Sequence, residues 1–358
     1  MVIKEKKIIP FFLLYIVLFF ITGTTTYAEE ATTESGANAY GEFNYRVILP
    51  ENQYNPEVGY FDLMMTPSQQ QTLQIELENA SNHEMQIEVS LNGAKTNRNG
   101  VIEYGPSDIQ DDKSLKFKFT DLVKSEERVT IAPKSKQMLD VTITMPETSY
   151  DGLIAGGIKL KQIVKRDESQ GGVINEYAYL VGMILRENET PVTVELELND
   201  VYPGLSNYRN AVYVNFSNIE ADYLNDMTVD VQVTPKDSEE VLYDTKSAGM
   251  RMAPNSLIDF PVTMNGERMV PGDYRANIVV TSGERRWEWT REFTITDEDA
   301  DKFNGQDVSL VQEKGIDWKL IALLAGIAFL LLLSIFFAVK KVREKGKKKK
   351  KNRPSKKK

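Results

Sequence analysis

The chain has no cysteine and one histidine in 358 residues. Without cysteine it can form no disulfide, no thiolate zinc site and no thioether of the kind that anchors a lipoprotein. A two-histidine metal site is excluded, and a Ser-His-Asp triad would have to use His83. That residue sits in "ENASNHEMQ", among turn formers after an alternating run, and reads as a loop residue. No glycine-rich phosphate loop follows a strand-like run. Carboxylate pairs such as Asp111–Asp112 have the residue types of a glycosidase. In so acidic a chain, however, such pairs arise by chance. The sequence reads as that of a non-enzyme, with no catalytic residue, no metal and no cofactor.

Long apolar runs are also scarce. There are two, and they differ. "IIPFFLLYIVLFFI" follows Lys4, Lys6 and Lys7 and precedes "TGTTTYA". It is shorter than the roughly 20 residues a span needs, and Thr26 and Ala28 suit cleavage after Ala28. Residues 1–28 are therefore expected to be a signal peptide. Leu320–Val339, "LIALLAGIAFLLLLSIFFAV", is uncharged throughout. At about 1.5 Å per residue it can cross about 30 Å of hydrocarbon. Trp318 stands before it, where an interfacial aromatic belongs, and residues 340–358 carry 13 Lys or Arg against Glu344 alone. A basic block directly after a span stays cytoplasmic and favours anionic lipid. This places the body of the chain outside a cell membrane, single-pass, with its C-terminus inside. No Leu-Pro-X-Thr-Gly precedes the span, so the helix is expected to be retained.

Positive charge is scarce between these ends. The formal net charge of −9 averages a basic tail with an acidic body. Residues 29–339 hold 27 basic and 50 acidic residues, a net of −23. Such a surface does not bind nucleic acid by phosphate neutralisation; it suits basic partners, cations or solubility. The Asn-X-Ser/Thr triplets at Asn79, Asn188 and Asn215 are read as chance.

What the body does have is period-two alternation. Leu73, Ile75 and Leu77 alternate with Gln74, Glu76 and Glu78. Met85, Ile87, Val89 and Leu91 repeat the pattern, as do Val192–Leu198 and Met227–Val233. Alternation of this kind marks antiparallel strands with one face buried and one wet. Many such strands with turn residues between them mean a sandwich, and one takes about 100 residues. The chain has room for two. "IAPKS" (Ile131–Ser135) and "MAPNS" (Met252–Ser256) each precede an alternating run, and "YDGLIAGGIKL" and "VPGDYRANIVV" follow at matching offsets. The fold class is therefore all-β: two tandem immunoglobulin-like β-sandwiches plus one C-terminal transmembrane helix. The first sandwich is placed at 39–187 and the second at 188–298. A stalk over 299–319, the helix over 320–339 and the basic tail over 340–358 follow. "VKRDESQGGVINE" reads as a hairpin turn returning Ile174–Arg186 to Leu153–Val164. The acids Asp297, Glu298, Asp299 and Asp301 lack the looped spacing and central glycine of a calcium site and read as solvated stalk.

Two stretches rise above scaffold. "LNGAKTNRNGVIEY" (Leu91–Tyr104) gathers amides and hydroxyls suited to sugar or peptide hydrogen bonding. "ERRWEWTREFTI" puts Trp287, Trp289, Phe293 and Ile295 on one parity, as a core-facing strand or an aromatic binding face.

These stretches resemble the WxL-interacting protein family of Gram-positive cell surfaces. "YFDLMMTPSQQQTLQIELENAS", "NGAKTNRNGVIEY" and "DGLIAGGIKL" are similar to its peptidoglycan-binding domain. "YAYLVGMILRE", "MAPNS", "PGDYRANIVV" and Trp289–Ile295 are similar to its host-binding domain. "TPSQQ" stands where the family often has Pro-Gly. The resemblance implies a surface protein whose partners are peptidoglycan, WxL-domain proteins and host extracellular matrix. It carries no residue contacts over. The loop's own chemistry offers Asn92, Thr96, Asn97, Asn99 and Tyr104 as the peptidoglycan-binding set. A scaffold retaining WxL proteins, a direct host-matrix adhesin and a wall hydrolase remain as readings, and the missing catalytic groups weigh against the last.

Overall fold

The computed structural model describes residues 43–164, 177–311 and 318–351. The expected signal peptide, residues 39–42 of the first sandwich, the expected turn within 165–176, residues 312–317 of the expected stalk and the last tail residues lie outside them. The first half contains β1 (Phe43–Ile48), β2 (Phe61–Met64), β3 (Gln70–Asn79), β4 (Met85–Gly93), β5 (Lys95–Thr96), β6 (Ile102–Glu103), α1 (Phe119–Leu122), β7 (Val123–Ser125), β8 (Arg128–Ile131), β9 (Ser135–Thr144), β10 (Ile154–Gln162) and β11 (Ala178–Arg186). The second contains β12 (Leu196–Ser206), β13 (Arg209–Asn218), β14 (Leu224–Pro235), β15 (Tyr243–Met252), β16 (Ser256–Thr263), β17 (Gly272–Ser282), β18 (Arg285–Ile295), α2 (Asp297–Gln306) and α3 (Trp318–Lys351).

Alternation in sequence becomes alternation in burial. Along β3, Leu73, Ile75 and Leu77 are buried, while Gln74 is exposed. Its partner β9 answers in register, with Leu73 opposite Val141 and Ile75 opposite Leu139. The sheet β1-β3-β9-β7 faces the sheet β2-β11-β10-β4-β8. Ile75, Leu139 and Ile143 from one and Phe61, Ile87, Ile158 and Leu160 from the other are fully buried in one core. Full burial of such a side chain stabilises by about 1.5–3 kcal/mol. The expected return of the hairpin is present: β10 pairs antiparallel with β11, Ile158 opposite Val181.

The second half repeats this plan with fewer strands. One sheet has the order β12-β13-β16 and the other β15-β14-β17-β18. The central runs match: β3 beside β9 corresponds to β13 beside β16, and β11-β10-β4-β8 corresponds to β18-β17-β14-β15. In β18, Trp287, Phe293 and Ile295 are buried and Trp289 is half-buried, so this parity faces the core.

The repeated Ala-Pro turn has the same construction in both sandwiches. Lys134 and Asn255 take positive φ, at 51° and 46°. Ser135 Oγ donates to Ala132 O at 2.7 Å and Ser256 Oγ to Ala253 O at 2.8 Å. A buried asparagine ending the neighbouring strand clasps each turn. Asn79 Nδ2 donates to Ala132 O and to His83 O. Asn218 Nδ2 donates to Ala253 O and to Asp222 O. Asn79 is 1% exposed. Burial accounts for this triplet as a packing feature.

The chain forms two compact units that are not contiguous in sequence. The first holds the described residues through Glu197 with Phe216–Asp226 and Met250–Ile258. The second holds Leu198–Asn215, Met227–Gly249 and the described chain from Asp259 onward. Every strand from β12 to β16 runs from one unit into the other. The seam expected at 187–188 is therefore not the boundary of compactness.

The stretch read as a solvated stalk from residue 299 differs too. It begins inside α2, whose N-cap Thr296 accepts from Asp299 N at 3.1 Å. Asp297, Glu298 and Asp299 occupy the first turn, where negative charge suits the helix dipole. Buried Asn304 donates to Met269 O and accepts from Met269 N and Asn210 Nδ2. Asp307 accepts from Asn210 N at 2.7 Å. Further on, α3 includes Ile321–Lys341, 21 residues of mean hydropathy 2.8, long and apolar enough to cross a membrane.

Candidate functional site

The polar stretch Leu91–Tyr104 folds as the end of β4 followed by the small hairpin β5–β6, with Lys95 opposite Glu103 and Thr96 opposite Ile102. It does not present its side chains as a common ligand surface. Thr96 is 1% exposed; its hydroxyl accepts from Ala253 N at 2.9 Å and shares a hydrogen bond with Ser256 Oγ at 2.6 Å. Asn97 stabilises its own turn: Oδ1 accepts from Asn99 N and Val101 N, and Nδ2 donates to Glu103 Oε1 at 2.8 Å. Tyr104 hydroxyl meets Tyr223 hydroxyl at 3.1 Å, and burial pushes the Tyr223 phenol far above its ordinary value. Asn92 lies on β4 opposite Gly157, with its amide on Ser90 O at 3.2 Å. Asn99 is the one member of the set that is exposed at the hairpin tip. His83 is exposed in its turn, as the loop reading has it.

Physical chemistry explains the difference. Segments 216–226 and 250–258 belong to this unit and need polar partners, because buried hydroxyls and amides are costly when unpaired. Asp112, 5% exposed, accepts from the buried Ser217 hydroxyl and from Ser114 N. Asn255 donates to Ser114 and Ile219 oxygens. Gly100 faces Met250, and a Cβ there would lie 2.5 Å from the Met250 side chain. The hydroxyls and amides that look ligand-ready in sequence serve largely as internal grips.

The glycines of β10 are also filled from within. A Cβ at Gly156 would lie 2.3 Å from the Phe119 ring, and one at Gly157 would lie 2.6 Å from Tyr104 O. The missing side chains admit Phe119 and Tyr104, not a ligand against bare backbone.

This unit also holds a cleft of about 810 Å³. Such a volume falls in the range of about 300–1,000 Å³ typical of small-molecule sites. One wall is the run Lys116-Phe117-Lys118-Phe119 together with Lys95 and Asp111; another is Thr148–Asp151. Glu220 and Asn255 line it as well. The rings of Phe117 and Tyr150 lie 5.6 Å apart, tilted by 48°. Tyr150 is pinned by its hydroxyl donating to Leu185 O at 3.0 Å and its N–H donating to Glu187. Burial first, and then the Glu187 charge, push the Tyr150 phenol well up, so it stays protonated. Asp111 accepts from Lys95 and from Lys118, the latter at 2.9 Å. Those hydrogen bonds hold its carboxyl below the usual carboxylate range. The loop reading missed this cleft. Its sequence signal was the alternation of lysine and phenylalanine in "KFKF", which puts two cations on one parity and two rings on the other.

Among the described residues, no group of three or more His, Cys, Asp or Glu is placed to hold a metal ion.

Comparison with known proteins gives two family matches and several fold likenesses. Residues 43–162 match the WxL Interacting Protein peptidoglycan binding domain, and residues 168–305 match the WxL Interacting Protein host binding domain. No curated protein matches the chain by sequence. Among solved structures, the chain is similar to the E. coli chaperone DraB at 12% identity, covering 71% of this chain and 98% of that one, with a TM-score of 0.25. It is also similar to the Pseudomonas aeruginosa CupB2 chaperone at 10% identity, covering 65% and 96%, with a TM-score of 0.25. The two family matches lie in order along one chain and together cover both sandwiches, so this chain belongs to the WxL-interacting protein family, with a peptidoglycan-binding domain followed by a host-binding domain.

Proposed function

We propose that this is a membrane-anchored cell-surface binding protein that contacts peptidoglycan with its first sandwich and retains secreted WxL-domain proteins with its second. The supporting observation is the order of parts: wall-binding domain, host-binding domain, then a helix long and apolar enough to cross a membrane. The lysine-rich residues after the helix orient it, with the sandwiches outside and the C-terminus in the cytoplasm. The protein acts by holding other molecules and not by catalysis. A second reading is favoured by the description of residues 168–305 as host binding: the second sandwich engages host extracellular matrix directly, without a WxL partner.

Two measurements test this. Deleting Trp318–Lys358 should move the protein out of the membrane fraction and into the soluble fraction released by wall digestion. If the truncated chain stays in the membrane fraction after wall digestion, the helix is not the anchor. Pull-down with the intact protein in detergent should recover WxL-domain proteins from the culture supernatant. Binding to matrix proteins with no WxL protein recovered would favour the adhesin reading.

A further inference from the structure

The cleft of the first unit is built from both family-matched regions. Lys116, Phe117 and Tyr150 come from the region matched to the peptidoglycan-binding domain; Glu220 and Asn255 come from the region matched to the host-binding domain. We propose that this cleft is the wall-binding site, and that its ligand is the muropeptide unit: an amino-sugar ring carrying a short peptide with free carboxylate and amine groups. The proposal rests on the reading of the first sandwich as a peptidoglycan binder.

The chemistry of the walls carries it. Phe117 and Tyr150 present a tilted aromatic pair to which the C–H face of a pyranose ring can pack. Thr148 and Ser149 are exposed at the same wall and can hydrogen-bond to sugar hydroxyl and acetamido groups. Charge is present in both signs and is only partly used. Lys95 and Lys118 neutralise Asp111. Among the described residues, Lys116 and Glu220 enter no ion pair. Lys116 suits a peptide carboxylate and Glu220 an amino group. A neutral glycan has no use for either group, and a polyanionic polymer would be repelled by Glu220 and Asp151.

The test uses the intact protein in detergent, purified sacculi stripped of teichoic acid, and soluble disaccharide-peptide released from them by a muramidase. The wild-type protein should sediment with the sacculi, and the soluble fragment should compete. Lys116→Glu and Phe117→Ala should each weaken sedimentation about ten-fold or more, the first by removing a charged contact and the second by removing the ring on which the sugar packs. Gln137→Ala, exposed on β9 and outside the cleft lining, should bind as wild type. Lys116 is exposed, so its variant reports even if Phe117→Ala fails to fold. Wild-type sedimentation with both folded variants binding within two-fold overturns the cleft and leaves the wall-binding reading standing. Failure of the wild type to sediment with stripped sacculi overturns both. Competition by the glycan without its peptide, as strongly as by the whole fragment, overturns the assignment of Lys116 and Glu220.

Discussion

Single residues of this protein do more internal work than their exposed-looking sequence contexts suggest. Asn79 and Asn218 each clasp an Ala-Pro turn from within. Replacing Asn79 by Ala leaves the buried carbonyl of Ile131 without that donor and takes one donor from the carbonyl of Ala132. It should cost about 1–3 kcal/mol, read as a lower denaturation midpoint at unchanged slope. Thr96→Val keeps the shape and removes the hydroxyl. It should destabilise by a similar amount, because Ala253 N–H loses its acceptor and Ser256 Oγ keeps only its bond to Ala253 O. An unchanged melting temperature would mean that Thr96 is free to serve a ligand after all. The pH dependence of Asp111 has a definite sign. Its carboxyl is depressed by hydrogen bonds from Lys95 and Lys118, so it contributes stability above the unfolded carboxylate value of about 3.9. That contribution is lost as pH falls through the lower folded value. Asp111→Asn should therefore be less stable than wild type at neutral pH, and the gap should close in acid. Urea melts at the two pH values check it; a gap that persists in acid would point to packing.

At the scale of elements, the sequence was most legible where a strand buries one face. Leu73–Leu77 and Met85–Val89 declare their inward residues by spacing alone, since side chains in a strand alternate strictly; in Trp287–Ile295 spacing puts the aromatics on one parity, and the structure turns that parity to the core. The repeated "AP" motif marked an identical turn before β9 and β16. The partners of those turns were not legible. Asn79 and Asn218 stand far from them in sequence, and no local pattern announces a long-range hydrogen bond. The acidic run after β18 reads as solvated until its helix forms, because Asn304 and Asp307 become buried only once α2 packs. β10 shows the same limit. Gly156 could have marked a bulge, a ligand approach or a ring; the structure places the Phe119 ring there. Gly156→Ala should clash with it and destabilise by about 1–3 kcal/mol, measured by thermal unfolding. A neutral result would mean that α1 moves freely.

For the whole molecule, the two family-matched regions are not the two units of compactness. Residues 216–226 and 250–258 pack within the first unit and satisfy Thr96, Asp112 and Ser114 there. A fragment ending at residue 187 should fold less stably than the same residues in the full chain, because these buried groups lose their partners. Equal hydrogen-exchange protection of β3 and β9 in the fragment and in the full chain would show that the added segments contribute nothing. By itself, the sequence determined the all-β class, the internal repeat, the apolar helix and the family, because each rests on local period, length or ordered motifs. Only the tertiary structure decided which polar residues of Leu91–Tyr104 are internal grips and that the open cleft lies beside Phe117 and Tyr150. A hydroxyl or amide looks the same in sequence whether its partner is solvent, ligand or a backbone group 157 positions away, as Thr96 is from Ala253. Burial and geometry distinguish these cases, and both arise only when distant strands meet.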